Sequence, residues 1–169
     1  MSPTDKTEAL EQWYRFNKGY LNERVRIVED AAAGVHCKAM QPIDAGSTIA
    51  ITPHWLTLSY LNALVDDAYP VFRQQRHRFR VEVMGFFYLV IQYVNRHKSF
   101  WKPYLDSLPQ PDGELAHPMF TDELDDVAWL DGTDAWYTVC ARKEKYEECY
   151  HDGIGVLKEA GLDVEPYTW

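Results

Sequence analysis

Residues 24–41 read RVRIVEDAAAGVHCKAMQ, and this stretch decides which fold the N-terminal third can adopt. Polar and apolar side chains alternate over residues 24–29, which is the two-residue period of a half-buried β-strand. Gly34 marks a turn, and residues 35–41 follow as a second strand. After another turn, residues 48–52 read as a third strand. The pattern therefore predicts a small antiparallel β-sheet.

The other segments show the 3.6-residue period of α-helices. Residues 71–95 carry apolar side chains on more than one side, which predicts a central helix. Further helices are predicted at residues 7–17, 57–66 and 134–160, and a short one capped by Thr121 after an ordered loop at 99–119. We therefore predict an α+β fold, a small antiparallel sheet followed by a mostly helical region, in a single domain spanning residues 1–169.

Composition and charge exclude several functional classes. The chain has 169 residues, of which 46% are hydrophobic, and a net charge of −9 that disfavours a nucleic-acid partner. The longest apolar run, residues 81–94, is too short and too polar to span a membrane. No Cys-x-x-Cys pair occurs among the three cysteines, which indicates free thiols and an intracellular, cytoplasmic protein. The six histidines show no metal-ligand spacing, so we predict no metal site.

Three motifs in order resemble the SET-domain methyltransferases. Residues 33–46, AGVHCKAMQPIDAG, resemble the opening of a SET domain, where a Gly-x-Gly turn precedes a strand and x-Asp-Ile-x-x-Gly. Residues 99–109, SFWKPYLDSLP, are similar to the Phe-Trp-x-Pro-Tyr-x-x-x-Leu-Pro segment of the Rubisco-methyltransferase-like group, which methylates lysine or histidine on non-histone proteins. Residues 129–133, WLDGT, resemble the Leu-x-Gly-Thr that follows there. The resemblance runs from about residue 9 to the last residue and implies a SET-like fold.

The departures from the family pattern bear on the methyl donor, S-adenosylmethionine. In the family, glycines let the backbone approach the donor closely because they have no Cβ. Gly34 matches the first glycine, whereas His36 places an imidazole at the second. The family's Asn-His motif and channel tyrosine have no counterpart, since residues 167–169 resemble the start of the helix that leads into the catalytic C-terminal half. We therefore expect a truncated SET-like domain that has lost methyl transfer and uses no cofactor.

Six residues are candidates for a site. The candidate catalytic residues, as proton or hydrogen-bond donors, are His36, Tyr60 and Tyr104. The candidate substrate-binding residues are Gly34, Trp55 and Trp101. The alternative interpretation is packing: His36 fills the former donor pocket, and the aromatic residues hold the 99–109 loop on the helices. Cys37 follows His36 on the opposite strand face and is predicted to be core.

Three functions remain open. The first is a repurposed, cofactor-independent small-molecule enzyme, a cyclase or isomerase of secondary metabolism. The second is the N-terminal half of a protein lysine or histidine methyltransferase, which would bind S-adenosylmethionine. The third is a non-catalytic protein-binding module. A half-domain exposes apolar side chains, at about 1.5–3 kcal/mol each, and unpaired strand edges. We therefore expect a cover, first of all a second copy in a homodimer, otherwise a partner protein.

Overall fold

The computed structural model describes residues 3–109 and 128–167 and has an α+β fold, as the sequence predicts. The helices are α1 (Pro3–Phe16), α2 (Tyr60–Val65), α3 (Val71–Gln74), α4 (Val81–Val94), α5 (Lys102–Leu105) and α6 (Asp134–Glu159). The strands are β1 (Tyr20–Leu21), β2 (Val25–Asp30), β3 (Gly34–Ala39) and β4 (Ala50–Ile51). Single 3₁₀ turns occupy His54–Leu56 and Ala128–Leu130. The short helix predicted after Thr121 lies outside the described residues, as do residues 110–119 of the predicted loop.

The four strands form two separate antiparallel ribbons instead of the single sheet predicted. β2 and β3 make a hairpin that runs from the pair Val25–Ala39 to the pair Asp30–Gly34. The third predicted strand shortens to β4, which pairs with β1 and not with the hairpin. Asn22 sets this arrangement, because its main-chain N–H donates to the Ile49 carbonyl at 2.8 Å. Chain segments far apart in sequence are thereby joined, which no local pattern can indicate.

Helix α4 is central, and its buried side faces the core. Its buried residues are Val83, Met84, Phe87, Tyr88, Ile91 and Gln92. The predicted helix over residues 71–95 is divided into α3 and α4, because Arg80 has an extended main chain with φ −67° and ψ 146°. The basic side chains between the two helices are exposed, and Arg78 and Arg80 make ion pairs with Glu159 and Asp152 of α6.

A hydrogen-bond network on Asp66 ties the end of α2 to α4. The Tyr88 hydroxyl donates to Asp66 Oδ2 at 2.8 Å, and Gln92 Nε2 donates to the same oxygen at 3.2 Å. Gln92 Oε1 in turn accepts from Ser99 Oγ at 2.7 Å. Burial and the Asp66 carboxylate raise the pKa of Tyr88 far above its usual value. A buried tyrosine hydroxyl thus has the partner that it needs.

Helix α6 packs its C-terminal half against α4 through a glycine. A Cβ built on Gly153 would lie 1.9 Å from Phe87 Cε2, so only glycine allows this approach. The ring of Phe87 also stacks on Tyr150 at 6.3 Å between centroids. The helix continues through Gly155 and ends before Gly161, whose φ of +83° terminates it. Of the helices within residues 3–109 and 128–167, none is long and apolar enough to cross a bilayer.

Replacing Gly153 by alanine should destabilise the protein, because the new methyl group collides with the buried Phe87 ring. Overpacking of this kind costs about 1–3 kcal/mol. Gly155→Ala is the matched control, because no atom lies within 4 Å of its built Cβ. That variant should gain up to about 1 kcal/mol from helix propensity. Urea unfolding followed by circular dichroism measures both, and equal stability of the two variants would contradict the α4–α6 packing.

Candidate functional site

The structure distributes the six predicted site residues over separate elements. Gly34 and His36 lie on the β2–β3 hairpin, Trp55 in the first 3₁₀ turn, Tyr60 at the start of α2, and Trp101 and Tyr104 at α5. Among the described residues, no hydrogen bond, ion pair or ring contact joins the hairpin pair to the other four. In the described part of the chain, the candidate catalytic residue His36 therefore makes no direct contact of these kinds with Tyr60 or Tyr104.

The three candidate residues near α5 and the 3₁₀ turn differ in exposure. Trp101 is buried, and its Nε1 donates to the Leu56 carbonyl at 3.0 Å. Its ring meets Tyr88 edge-on at 5.8 Å between centroids. Trp55 and Tyr104 are partly exposed, and Trp55 Nε1 donates to the Asn17 carbonyl at 3.2 Å. Trp101 thus holds the segment before α5 on the core, whereas the other two leave surface accessible.

His36 is held in place by its own hairpin. The residue lies on β3 opposite Val28, and its Nδ1 lies 3.0 Å from the Gly34 carbonyl oxygen. Its Nε2 lies 3.6 Å from Asp30 Oδ2. A carbonyl oxygen can only accept a hydrogen bond, so Nδ1 carries the proton in the neutral ring and Nε2 keeps a free lone pair. The imidazole is therefore oriented as a base whose protonated form faces a carboxylate.

Asp30 is a site residue that the sequence reasoning did not identify. Its Oδ1 accepts the main-chain N–H groups of Ala33 at 2.8 Å and Ala32 at 3.0 Å, which closes the hairpin turn. These two bonds are the main reason that the pKa of the Asp30 carboxyl is lowered, and His36 and Lys38 add to the effect. The signal that could have revealed this role is an aspartate placed before a turn that ends in glycine.

The prediction that Cys37 is core is wrong, because the side chain is exposed. Cys37 stands opposite Ile27 on the outer strand of the hairpin. Helix α1 packs against β2 and leaves β3 uncovered, so alternation along β3 does not separate a buried face from an exposed one. The thiol is thus accessible to solvent, as is that of Cys140, whereas Cys149 is buried.

A groove runs between α1 and the outer edge of β2, and we name it the α1–β2 groove. Its volume is about 540 Å³, and it is lined by one face of α1 and by the consecutive β2 residues 26–29. A second opening shares Glu11, Arg15 and Arg26 with it and extends toward Arg24. The Glu11 carboxylate forms ion pairs with Arg15, at 3.0 Å, and with Arg26, at 3.7 Å. None of the six predicted site residues lines this groove.

A second accessible region is apolar, and we name it the α4–α6 surface. It consists of Phe86, Val90 and Val94, four residues apart on one side of α4, and of Tyr146 on α6. These side chains are 44%, 39%, 37% and 36% exposed, respectively. The rings of Phe86 and Tyr146 meet edge-on at 5.7 Å, which makes the surface continuous from one helix to the other. The apolarity of this helix on several sides is visible in the sequence.

The hairpin turn provides a test of whether the chain could hold the methyl donor that the SET resemblance implies. Gly34 has a φ of +63°, which favours glycine, but a Cβ built on it meets no atom within 4 Å. The space beside the Gly34 turn is therefore open. His36, at the position of the family's second glycine, hydrogen-bonds to the Gly34 carbonyl, so the match to the family's donor turn is incomplete. In the described part of the chain, no group of three or more His, Cys, Asp or Glu side chains could hold a metal ion.

No protein-family model matches the chain, and no curated protein matches its sequence. The SET resemblance therefore stays a prediction, and the geometry alone has to carry the functional proposal.

The Asp30 turn gives a pH-dependent prediction. The amide protons of Ala32 and Ala33 should shift in NMR spectra with a midpoint below 3.8, because they donate to a carboxylate with a lowered pKa. A depressed pKa stabilises the folded state above the usual carboxyl pKa, and this contribution is lost as the pH falls through the lowered value. Asp30→Asn keeps an acceptor oxygen but should abolish the shift. Glu29→Gln, which leaves the turn intact, should preserve it, and a midpoint above 3.8 would contradict the geometry.

Proposed function

We propose that this chain is a non-catalytic protein-binding module with a SET-like fold, and that the α4–α6 surface binds an amphipathic helix rich in acidic residues. The observation that supports this function is the continuous apolar strip of Phe86, Val90, Val94 and Tyr146 on two packed helices. Exposed apolar strips of this kind match the helix-in-groove mode, in which a partner helix inserts residues at i, i+4 and i+7.

The charge beside the strip selects the kind of partner. Arg142 and Lys143 lie four and three residues before Tyr146, hence on the same side of α6. Neither makes an ion pair with any residue of the described ranges. These two cations lie next to an apolar strip, although the chain as a whole has a net charge of −9. A partner helix with acidic residues along its apolar face would neutralise them and would meet less repulsion there than elsewhere on the chain.

Two synthetic amphipathic peptides with the same apolar stripe, one flanked by glutamates and the other by lysines, test this proposal. The glutamate peptide should bind with a dissociation constant of about 10–100 µM by fluorescence anisotropy, and the lysine peptide at least about tenfold more weakly. Val90→Glu should abolish binding of the glutamate peptide, because it places a charge in the strip. Val65→Glu is the matched control, because Val65 is 72% exposed on α2 and lies outside the surface.

Reversing the two cations probes the selectivity separately. The double variant Arg142→Glu, Lys143→Glu should shift preference toward the lysine peptide, while circular dichroism confirms that α6 remains helical. Equal binding of both peptides to the unmodified chain would indicate unspecific adsorption and would overturn the proposal. So would a loss of binding in Val65→Glu as large as in Val90→Glu.

A cofactor-independent enzyme is the second candidate, and the orientation of His36 favours it. The Gly34 carbonyl and Asp30 fix the imidazole with Nε2 free, as a general base requires. The candidate hydroxyl donors are Tyr60 and Tyr104, which would act on a substrate held between them and His36. Such an enzyme, a cyclase or isomerase, would position a small apolar substrate and would need no cofactor.

The tautomer of His36 tests the geometry on which the enzyme candidate depends. Long-range proton–nitrogen NMR spectra at neutral pH should show the proton of the His36 ring on Nδ1. The solvent-exposed His54, which makes no such bond to a carbonyl, serves as the reference ring. A neutral His36 with its proton on Nε2 would show that Nε2 is not the free nitrogen and would exclude the geometry on which this candidate depends.

The methyltransferase alternative gains no support from the hairpin turn, where His36 stands in place of the family's second glycine. We place the module in the cytoplasm. This localisation draws on its three cysteines, Cys37, Cys140 and Cys149, all of which are free thiols in the structure. Free thiols, two of them exposed, suit a reducing compartment.

A further inference from the structure

We infer that the outer edge of β2 is a self-association surface, on which a second copy of this chain adds its own β2 in antiparallel orientation. The two hairpins would then form one four-stranded sheet in the order β3–β2–β2–β3. This interface is distinct from the α4–α6 surface, so the inference does not rest on the proposed function. It assigns a location to the homodimer that the sequence predicts.

The outer edge of β2 has free main-chain groups. Within the described ranges, β2 pairs with β3 alone. Residue pairs in an antiparallel ladder alternate between hydrogen-bonded and non-hydrogen-bonded pairs. Arg24 and Met40 form a hydrogen-bonded pair, because the Arg24 carbonyl accepts from the Met40 N–H at 2.7 Å. Arg26, Val28 and Asp30 therefore also direct their main-chain groups to β3. It follows that Val25, Ile27 and Glu29 direct their main-chain N–H and carbonyl groups away from β3, to the outer edge of β2.

The α1–β2 groove keeps this edge open. Four consecutive residues of β2, 26–29, line it, as expected when a strand presents its edge rather than one face. The opposite wall is one face of α1, which includes Glu11 and Arg15. A helix beside a free strand edge is a geometry in which a further strand can be added.

The charge pattern of β2 identifies the added strand as a second β2. Basic residues lie just before the strand and at its N-terminal end, Arg24 and Arg26, and acidic residues lie at its C-terminal end, Glu29 and Asp30. Antiparallel pairing of two identical strands brings the basic end of each to the acidic end of the other. Opposite charges across strands stabilise a pair, and a two-fold axis makes each contact twice. The edge is thus complementary to itself.

The main-chain bonds also specify the register. The outward groups of Val25 are already engaged, because its N–H donates to the Asn22 carbonyl and its carbonyl accepts from Arg26. Ile27 and Glu29 therefore keep outward main-chain groups that can bond to a second strand. A two-fold register centred on Val28 joins Ile27 of each copy to Glu29 of the other through main-chain bonds. The same register places Arg26 opposite Asp30 of the second copy, as the charges require.

Sedimentation velocity over about 5–500 µM tests the inference, because a five-residue strand pair buries less than the roughly 800 Å² per partner of stable complexes. We expect a monomer–dimer equilibrium with a dissociation constant of tens of micromolar. Ile27→Pro should weaken it at least about tenfold, because it removes an outward N–H that the hairpin does not use. A strictly monomeric wild-type chain, or an Ile27→Pro variant that dimerises equally well while circular dichroism shows the native fold, would overturn the inference.

Charge reversal provides a second, independent variant. Arg26→Glu puts like charges opposite each other and should weaken the dimer at least about fivefold. Lys145→Glu is the matched control: it changes the net charge equally, and Lys145 is an exposed residue of α6. Lys145→Glu should leave the dissociation constant within about twofold of the wild-type value. An equal loss in both variants would attribute the effect to net charge and would contradict the paired edge.

A cysteine at the proposed two-fold axis tests the register. In a background with Cys37→Ser and Cys140→Ser, Val28→Cys should form a disulfide-linked dimer under mild oxidation. Non-bonded antiparallel pairs have Cα atoms about 4.5 Å apart, which a disulfide can bridge. Lys38→Cys in the same background should stay monomeric. If the chain remains monomeric but an unrelated extended peptide shifts the NMR amide signals of Ile27 and Glu29, the edge binds another protein and self-pairing is excluded.

Discussion

Burial of one side of α4 is the constraint on which the rest of the helical region depends. The side chains of that face fill the space between α2, α6 and the segment before α5. The Asp66 carboxylate joins the end of α2 to α4 by hydrogen bonds, and Gln92 extends the network to Ser99. Phe87 fits only because α6 presents a glycine to it. Because one side of α4 packs against several neighbouring elements, its second apolar side cannot also face the core. The exposed strip of Phe86, Val90 and Val94 is the direct result.

The elements with strong local signals could be predicted from the sequence. Alternation over residues 24–29 predicts β2, and the apolar period predicts α1, α2 and α6 close to their observed bounds. The break between α3 and α4 could not be predicted, because Phe79 keeps the helical phase while the main chain at Arg80 is extended. The pairing of β4 with β1 joins segments that are distant in sequence, and hydrophobic periodicity carries no information about such contacts.

The candidate site was harder to predict, because it depends on what surrounds each side chain. The aromatic residue types suggest a pocket, yet Trp101 is part of the core, where its Nε1 donates a hydrogen bond to the Leu56 carbonyl. The carboxylate neighbour of His36 is Asp30, which lies six residues away across a turn, so periodicity along β3 does not reveal the contact. The prediction that Cys37 is buried is wrong, because alternation shows which residues share a face of a strand and not which face is covered.

The β2–β3 hairpin is attached to the protein through α1, and this has a consequence for motion. Most of its side chains are exposed, and its turn is closed by local bonds to Asp30. Elements with few buried apolar contacts open at a lower free energy than the core does. We therefore expect the protein to contain two cooperative units, a ribbon that breathes readily and a slowly exchanging helical body. Evolution could remodel the ribbon without endangering the body that carries it.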